Sequence, residues 1–280
     1  MIDLYTSGAA HQTAGMRYLQ KGIEAAGELT RLREINGNPH EQARACVLWG
    51  TRNMHLMGKY ETVYILEAGY FRDRLSFYSL GIGGLNGRAH FNNEDSPSDR
   101  WIKHGVARQP WRHHGDYILI MGQVPGDMAL ENININQFYA DMLYQIRNFT
   151  HMPVFFRSHP LAQQKAPEDI PILPARSLDE AFKDAAMVVT YNSNSGVDAA
   201  LAGVPVYAHD IGSMAWPIAA HSIKRLFNFG YPDRRQWLYN LAYTQWTVDE
   251  LTRGEAWEHI CKRANVIELQ SAAQRLNRSH

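Results

Sequence analysis

Residues 187–206 read Met-Val-Val-Thr-Tyr-Asn-Ser-Asn-Ser-Gly-Val-Asp-Ala-Ala-Leu-Ala-Gly-Val-Pro-Val, and they leave few options for the fold. The apolar, β-branched run 187–190 predicts a strand. A turn of small residues follows at 192–196, then an alanine-rich helix over 196–202. Gly203-Val-Pro205 returns the chain to a second apolar strand at 204–208. Two strands joined by one helix form a crossover unit, which calls for a parallel, covered sheet. The turn also stands at a helix N-terminus, where first-turn N–H groups lack intrahelical partners and the dipole is positive. That place suits an anion. An ordinary crossover with a good N-cap would use the same residues.

The alternation continues along the 280 residues. Strands are expected from Ile2 to the turn at Ser7-Gly8, and at 47–49, 63–66, 116–121, 154–156, 187–190 and 204–208. Helical spacing marks 16–26, 136–150, 178–184 and 196–202, with two terminal helices over 249–263 and 264–275. Residues 71–114 are polar, glycine-rich and without periodicity, which predicts a binding loop or lid. The expected fold is α/β, with two Rossmann-like parallel-sheet domains facing a cleft. Boundaries are drawn at 1–112, 113–248 and 249–280. The terminal helices are expected to brace the first half, because Trp257, Ile260, Val266, Ile267 and Leu269 need a surface to bury against.

Composition narrows the class. Hydrophobic residues make up 45% of the chain, enough for packed cores, and nothing is low in complexity. The N-terminus lacks the basic stretch and apolar core of a signal peptide, no apolar run could span a bilayer, and Cys46 and Cys261 form no metal-type pattern. A cytoplasmic protein with no membrane partner is the expectation. The net charge is zero. Residues 1–112 nonetheless hold fourteen Lys and Arg against eleven Asp and Glu, and the remainder is acidic by the same margin. A basic first half is compatible with a polyanionic acceptor, or with ordinary scatter.

Each strand of the second half is followed by a polar loop: Gly122-Gln-Val-Pro-Gly-Asp127, Arg157-Ser-His-Pro160, and the turn at 192–196. In a parallel sheet these loops share one edge, so they converge. Gln123, Asp127, Arg157, His159, Asn192, Ser193, Asn194, Ser195 and Gly196 are the donor-binding candidates, able to hold a diphosphate and a nucleoside without a Walker loop. The ordered set Gly-Gln-Val-x-x-Asp, His-Pro, Ser-rich turn and Ala-Leu-x-Gly-x-Pro-Val resembles the bacterial capsule-polysaccharide glycosyltransferases. The resemblance spans about ninety residues and implies a sugar nucleotide whose phosphates meet His159, Ser193 and Ser195. One departure is that Ser158 precedes His-Pro where that family often has a basic residue. The basic group here is Arg157.

The first half contributes Glu67-Ala-Gly-Tyr-Phe-Arg-Asp-Arg-Leu-Ser-Phe-Tyr-Ser-Leu-Gly-Ile-Gly-Gly-Leu-Asn-Gly-Arg88. Asp73 offers a carboxylate between two cations, Arg72 and Arg74, and a sugar transfer needs a base to deprotonate the acceptor hydroxyl. A surface ion pair pinning the loop is the plainer use of the same residues. Glycines at 69, 81, 83, 84 and 87 permit backbone approach to a ligand or positive-φ turns. The pattern is similar to one in bacteriophage-encoded GT-B-type glycosyltransferases of the DNA-modifying kind. That resemblance implies a hydroxymethylated pyrimidine in DNA as acceptor, presented out of the stack. Arg72, Asn86, Arg88, Trp101 and Arg112 would then stand on the acceptor side, and Trp101, Lys103, Arg108, Trp111 and Arg112 would suit phosphates and an unstacked base. His11, in the loop after the first strand where many GT-B enzymes place a catalytic histidine, is the competing base. Asp73 is ranked first for its more unusual flanking motif, with Arg74 and Asn86 orienting it.

The leading expectation is a glycosyltransferase moving a sugar from a nucleotide donor, UDP-sugar favoured, to a hydroxyl acceptor. It needs no cofactor and no metal: no Asp-x-Asp motif is present, and Asn93-Glu-Asp95 is unconvincing as a substitute. The alternatives are a capsule, surface-polysaccharide or lipid acceptor, a non-catalytic glycan- or DNA-binding protein on the same scaffold, and a sugar-nucleotide epimerase needing no acceptor.

Overall fold

The computed structural model describes residues 1–6, 8–34, 42–71, 73–162, 167 and 169–262. Two compact units form, Met1–Pro97 with Tyr239–His280, and Ser98–Leu238. The first unit opens with β1 (Ile2–Thr6), α1 (Ala10–Ala25), β2 (Thr30–Glu34), β3 (Ala45–Trp49), β4 (Thr62–Ala68) and β5 (Phe77–Ile82). The second holds α2 (Asp99–His104), β6 (Tyr117–Met121), α3 (Ile135–Arg147), β7 (Val154–Arg157), α4 (Leu178–Phe182) and β8 (Ala185–Thr190). It continues through α5 (Ser195–Leu201), β9 (Val206–Ala208) and α6 (Ile223–Phe227) into α7 (Arg235–Ala242), within which the chain passes back to the first unit. There it adds β10 (Gln245–Thr247), α8 (Val248–Thr252) and α9 (Glu255–Lys262).

The division after Pro97 and Leu238 differs from the expected 112 and 248 for a physical reason at each end. Residues 98–112 are tied to the second unit: Gln109 N donates to Leu201 O at 2.8 Å, and Trp111 Nε1 donates to Pro232 O at 2.8 Å. At the other end, the three residues of β10 pair with β5.

The first sheet runs β10-β5-β4-β3-β1-β2. Its four strands β2, β1, β3 and β4 are parallel, as the strand–helix alternation implies, while β5 is antiparallel to β4 and β10 antiparallel to β5. The stretch expected as a long lid therefore contributes a sheet strand. Its glycines serve packing as well as turns. Gly83 has φ +73°, and a Cβ on Gly81 would lie 2.7 Å from Ala89 Cβ and 2.8 Å from the Phe91 ring. Alternation in Phe77-Tyr-Ser-Leu-Gly-Ile is masked by these small residues.

One face of this sheet packs Met16, Leu19 and Ile23 of α1 with Leu251, Ala256, Trp257 and Ile260 in a single core, so the C-terminal helices brace the first half. Val266, Ile267, Leu269 and the expected helix at 264–275 lie outside the described residues. The opposite face buries Tyr5, Leu48, Leu56, Tyr60 and Ile65 around Asp3, whose Oδ2 accepts from Tyr60 Oη at 2.7 Å. Burial, helped by Asp3, pushes the Cys46 thiol up to about 12, which leaves it an inert core residue.

The second sheet, β7-β6-β8-β9, is parallel throughout. Asn134 caps α3 by accepting from Asn136 N, and the helix lays Ile135, Phe138, Tyr139, Met142 and Ile146 on the sheet at helical spacing. Gly203, at φ +79°, closes the α5–β9 turn where any Cβ would overlap Pro110 O. Among the described residues no helix is long and apolar enough to cross a membrane.

Candidate functional site

A parallel sheet delivers the loops that follow its strands to one edge. Here the loops after β6, β7 and β8 are bonded to one another. Gly122 N donates to Arg157 O at 2.8 Å, joining the first two. Gln123 Nε2 donates to Asn192 Oδ1 at 2.9 Å while Asn192 N donates to Gln123 Oε1 at 3.1 Å, joining the first and third. The Tyr139 hydroxyl accepts from Gln123 N at 2.8 Å from below.

This reciprocal amide pair gives both residues a structural role beside the donor-binding one expected of them. Gln123 and Asn192 are buried, and Asn192 Nδ2 also donates to Ala129 O at 2.6 Å and Asp210 Oδ1 at 2.9 Å. Their amides build the edge by bonding protein to protein. Removing one partner strands the other in an apolar setting, which costs about 1–3 kcal/mol per buried group. Gln123→Ala is accordingly expected to lower the unfolding free energy by about 2–4 kcal/mol, since it orphans groups on Asn192. A chemical-denaturation midpoint equal to wild type would refute that account.

The helix N-terminus also differs from the expectation. Ser195 N donates to Ser193 Oγ at 3.2 Å, Gly196 N to Ser193 O at 3.0 Å and Val197 N to Asn194 O at 2.8 Å. The first-turn N–H groups are satisfied by their own turn, and α5 has only seven residues. Ser193 Oγ, which also accepts from Ser195 Oγ at 2.9 Å, is the polar centre of this loop. Gly196 sits where a Cβ would press on Ala215 and Thr190, at 3.3 Å from each.

Of the remaining donor candidates, His159 is half-buried, and its Nδ1 accepts from Leu161 N at 3.2 Å. Arg157 Nη1 donates to Ala175 O at 2.7 Å, and burial lowers the guanidinium's pKa from its ordinary value. Asp127 is exposed and caps the following turn by accepting from Ala129 N at 2.9 Å.

In the first unit, His11 is exposed on the first turn of α1, its ring edge-on to Trp49 at 5.5 Å. Asp73 is exposed and left-handed, at φ 60°, with its Oδ2 accepting from Ser76 Oγ at 2.5 Å. Arg74 Nε donates to Gly69 O at 3.0 Å, so it braces the loop. Arg72 lies outside the described residues. Gln245 Oε1, from β10, accepts from Tyr70 N at 2.8 Å and Phe71 N at 3.2 Å and fixes where this loop starts. Asn86, at φ 54°, and Arg88 bound the next turn.

Trp101 and Arg112, expected beside Asn86 and Arg88, belong to the second unit. Arg112 Nη1 donates to the carbonyls of Phe182 and of Ala185, the latter at 3.0 Å. Among the neighbouring cations, Arg234 lies 3.8 Å over the Trp111 ring and Arg100 is buried, while Lys103 and Arg108 are exposed. Among the described residues no cluster of three His, Cys, Asp or Glu could hold a metal ion.

No protein-family model matches the chain, and no curated protein matches it by sequence. Among solved structures it is similar to Thermosulfurimonas dismutans KpsC, beta Kdo 2,7 transferase. The TM-score is 0.57 at 14% identity, over 91% of this chain and 98% of that one. It is also similar to Thermosulfurimonas dismutans KpsC, beta Kdo 2,4 transferase, with a TM-score of 0.61 at 12% identity, over 87% of this chain and 91% of that one. At these identities the likeness is one of fold, and the fold is the GT-B-like α/β arrangement of two Rossmann-like halves.

Proposed function

We propose that the chain is a nucleotide-sugar-dependent glycosyltransferase whose donor lies on the carboxyl edge of the second unit's sheet and whose acceptor is a saccharide hydroxyl. The observation that carries this reading is the bonding of three polar loops into one edge of an all-parallel sheet, in a chain that shares its fold with two Kdo transferases. Arg157, His159 and Ser193 supply the groups for the departing nucleotide, with Gln123 and Asn192 holding the loops that carry them. Asp73 is the proposed base, with His11 its rival. A DNA acceptor is disfavoured because Arg112 and Trp111, to which phosphates and an unstacked base were assigned, bond to the protein's own backbone.

The test is calorimetry with UDP-, GDP-, dTDP- and CMP-activated sugars, UDP-sugars being the first choice. Mass spectrometry of reactions supplied with saccharides or hydroxymethylpyrimidine DNA would follow. Sugar added to a saccharide is the expected result, and sugar found on the DNA instead would replace the acceptor. Conversion of the nucleotide sugar without any acceptor would indicate an epimerase. The double variant His159→Ala/Ser193→Ala, which spares the Arg157 tether, is expected to weaken donor binding by about 2–4 kcal/mol. Unchanged affinity in that variant moves the donor elsewhere.

A further inference from the structure

β9 delivers a fourth group to the same edge. His209 follows the strand directly, and its backbone N donates to Tyr191 O at 2.9 Å and Thr190 O at 3.1 Å. Its ring packs against Phe138 and Tyr191, with centroids 5.1 and 5.2 Å away, yet the residue as a whole is exposed. The ring Nδ1 lies 2.7 Å from the Tyr207 hydroxyl. Tyr207 is 3% exposed, and burial pushes its hydroxyl up to about 12, so it is a neutral phenol.

The tautomer follows from this contact. A buried O–H that finds no acceptor is costly, and Nδ1 is the partner this hydroxyl has among the described residues. Tyr207 therefore donates to Nδ1, and the imidazole proton sits on Nε2. Nε2 has no partner among the described residues. Asn192, one loop away, donates to Asp210 Oδ1, which fixes the residue beside His209 to the Gln123–Asn192 pair. The Asp141 and Asp210 carboxylates both act on the ring, so a phosphate is poorly suited to this position and a neutral oxygen is well suited.

We propose that His209 is a further donor-binding residue whose Nε2–H, oriented by the Tyr207 hydroxyl, hydrogen-bonds a hydroxyl or carbonyl oxygen in the nucleoside or sugar part of the donor. This rests on the donor site described above. The amide of glutamine can stand in for Nε2 and that of asparagine for Nδ1, which separates a ligand role from a structural one. The experiment is calorimetry on the full chain, using the nucleotide sugar that binds wild type best and its parent nucleoside diphosphate.

His209→Asn is expected to weaken binding about tenfold or more while keeping the bond to Tyr207 and the melting temperature. His209→Gln is expected to stay within about threefold of wild type in affinity and to melt lower. A loss shared by both ligands assigns the contact to the nucleoside, and a loss confined to the nucleotide sugar assigns it to the sugar. Either supports the proposal. Wild-type affinity in His209→Asn, or parallel losses of affinity and stability in both variants, would overturn it and leave the donor site standing. If wild type binds no nucleotide sugar, the donor site falls first and this contact with it.

Discussion

Asp73→Asn is expected to lower turnover by about 10²–10⁴-fold while leaving donor affinity unchanged, the loss typical of removing a positioned general base. The substitution isolates the chemistry well. Asp73 is left-handed at φ 60°, a conformation that few side chains tolerate and that asparagine tolerates readily, so the variant keeps the backbone. The Asn carbonyl can still accept from Ser76 Oγ, the bond that now holds the carboxylate. The flanking backbone is fixed independently, by Gln245 at Tyr70 and Phe71 and by the Arg74 bond to Gly69 O. What changes is the ability to take a proton. An Asp73→Asn enzyme with more than about a tenth of wild-type kcat would return Asp73 to the role of loop anchor. His11→Ala is the paired control: a larger loss there than in Asp73→Asn would transfer the base to the edge of α1.

How much of this was legible in the sequence depends on what each residue bonds to. β6, β8 and β9 were visible because a parallel strand buried on both faces reads as an apolar run, and each run ends at small or polar residues. β2 was missed because Thr-Arg-Leu-Arg-Glu is an edge strand carrying three charges, and β10 because three residues give no period. β5 was hidden by glycines that let Ala89 and Phe91 approach. At the loops after β6, β7 and β8, the sequence shows which polar groups are present but not which of them bond to the protein itself. Gln123 and Asn192 are the residue types that contact nucleotides, and they are also the types that pair with each other. No local pattern distinguishes the two uses across sixty-nine positions of chain. The same holds for Arg112 and Trp111, whose cationic and aromatic character suited an acceptor but whose donors meet backbone carbonyls. His209 carries no motif, and its contact with Tyr207, two residues back at the end of β9, shows only once the strand places both side chains on one side.

The largest stability effect is expected from removing residues 245–280, which should unfold the first unit and spare the second. The excised segment carries β10 and the buried side chains Trp246, Leu251, Trp257 and Ile260. Four such side chains stabilise by about 6–12 kcal/mol if each contributes about 1.5–3. That is comparable to the whole stability of a typical domain, about 5–15 kcal/mol. Polar contacts go with them: the Gln245 bonds to Tyr70 and Phe71, and the capping box in which Thr247 Oγ1 accepts from Glu250 N while Glu250 Oε2 accepts from Thr247 N. The second unit has its own core, built from β6, β7, β8 and α3, and loses none of it. Hydrogen exchange should therefore show protection lost at β1, β3 and β4 and retained at β6 and β8. Retained protection at β1, β3 and β4 would mean that the parallel strands and α1 suffice alone. A full-length variant reaches the same interface without truncation. Gly22 of α1 stands against Gly254, with a Cβ position 3.0 Å from Gly254 Cα and overlapping Leu251 O. Gly22→Val should push α1 away from α8 and cost about 1–3 kcal/mol by overpacking, read as a lowered Tm for the first unit.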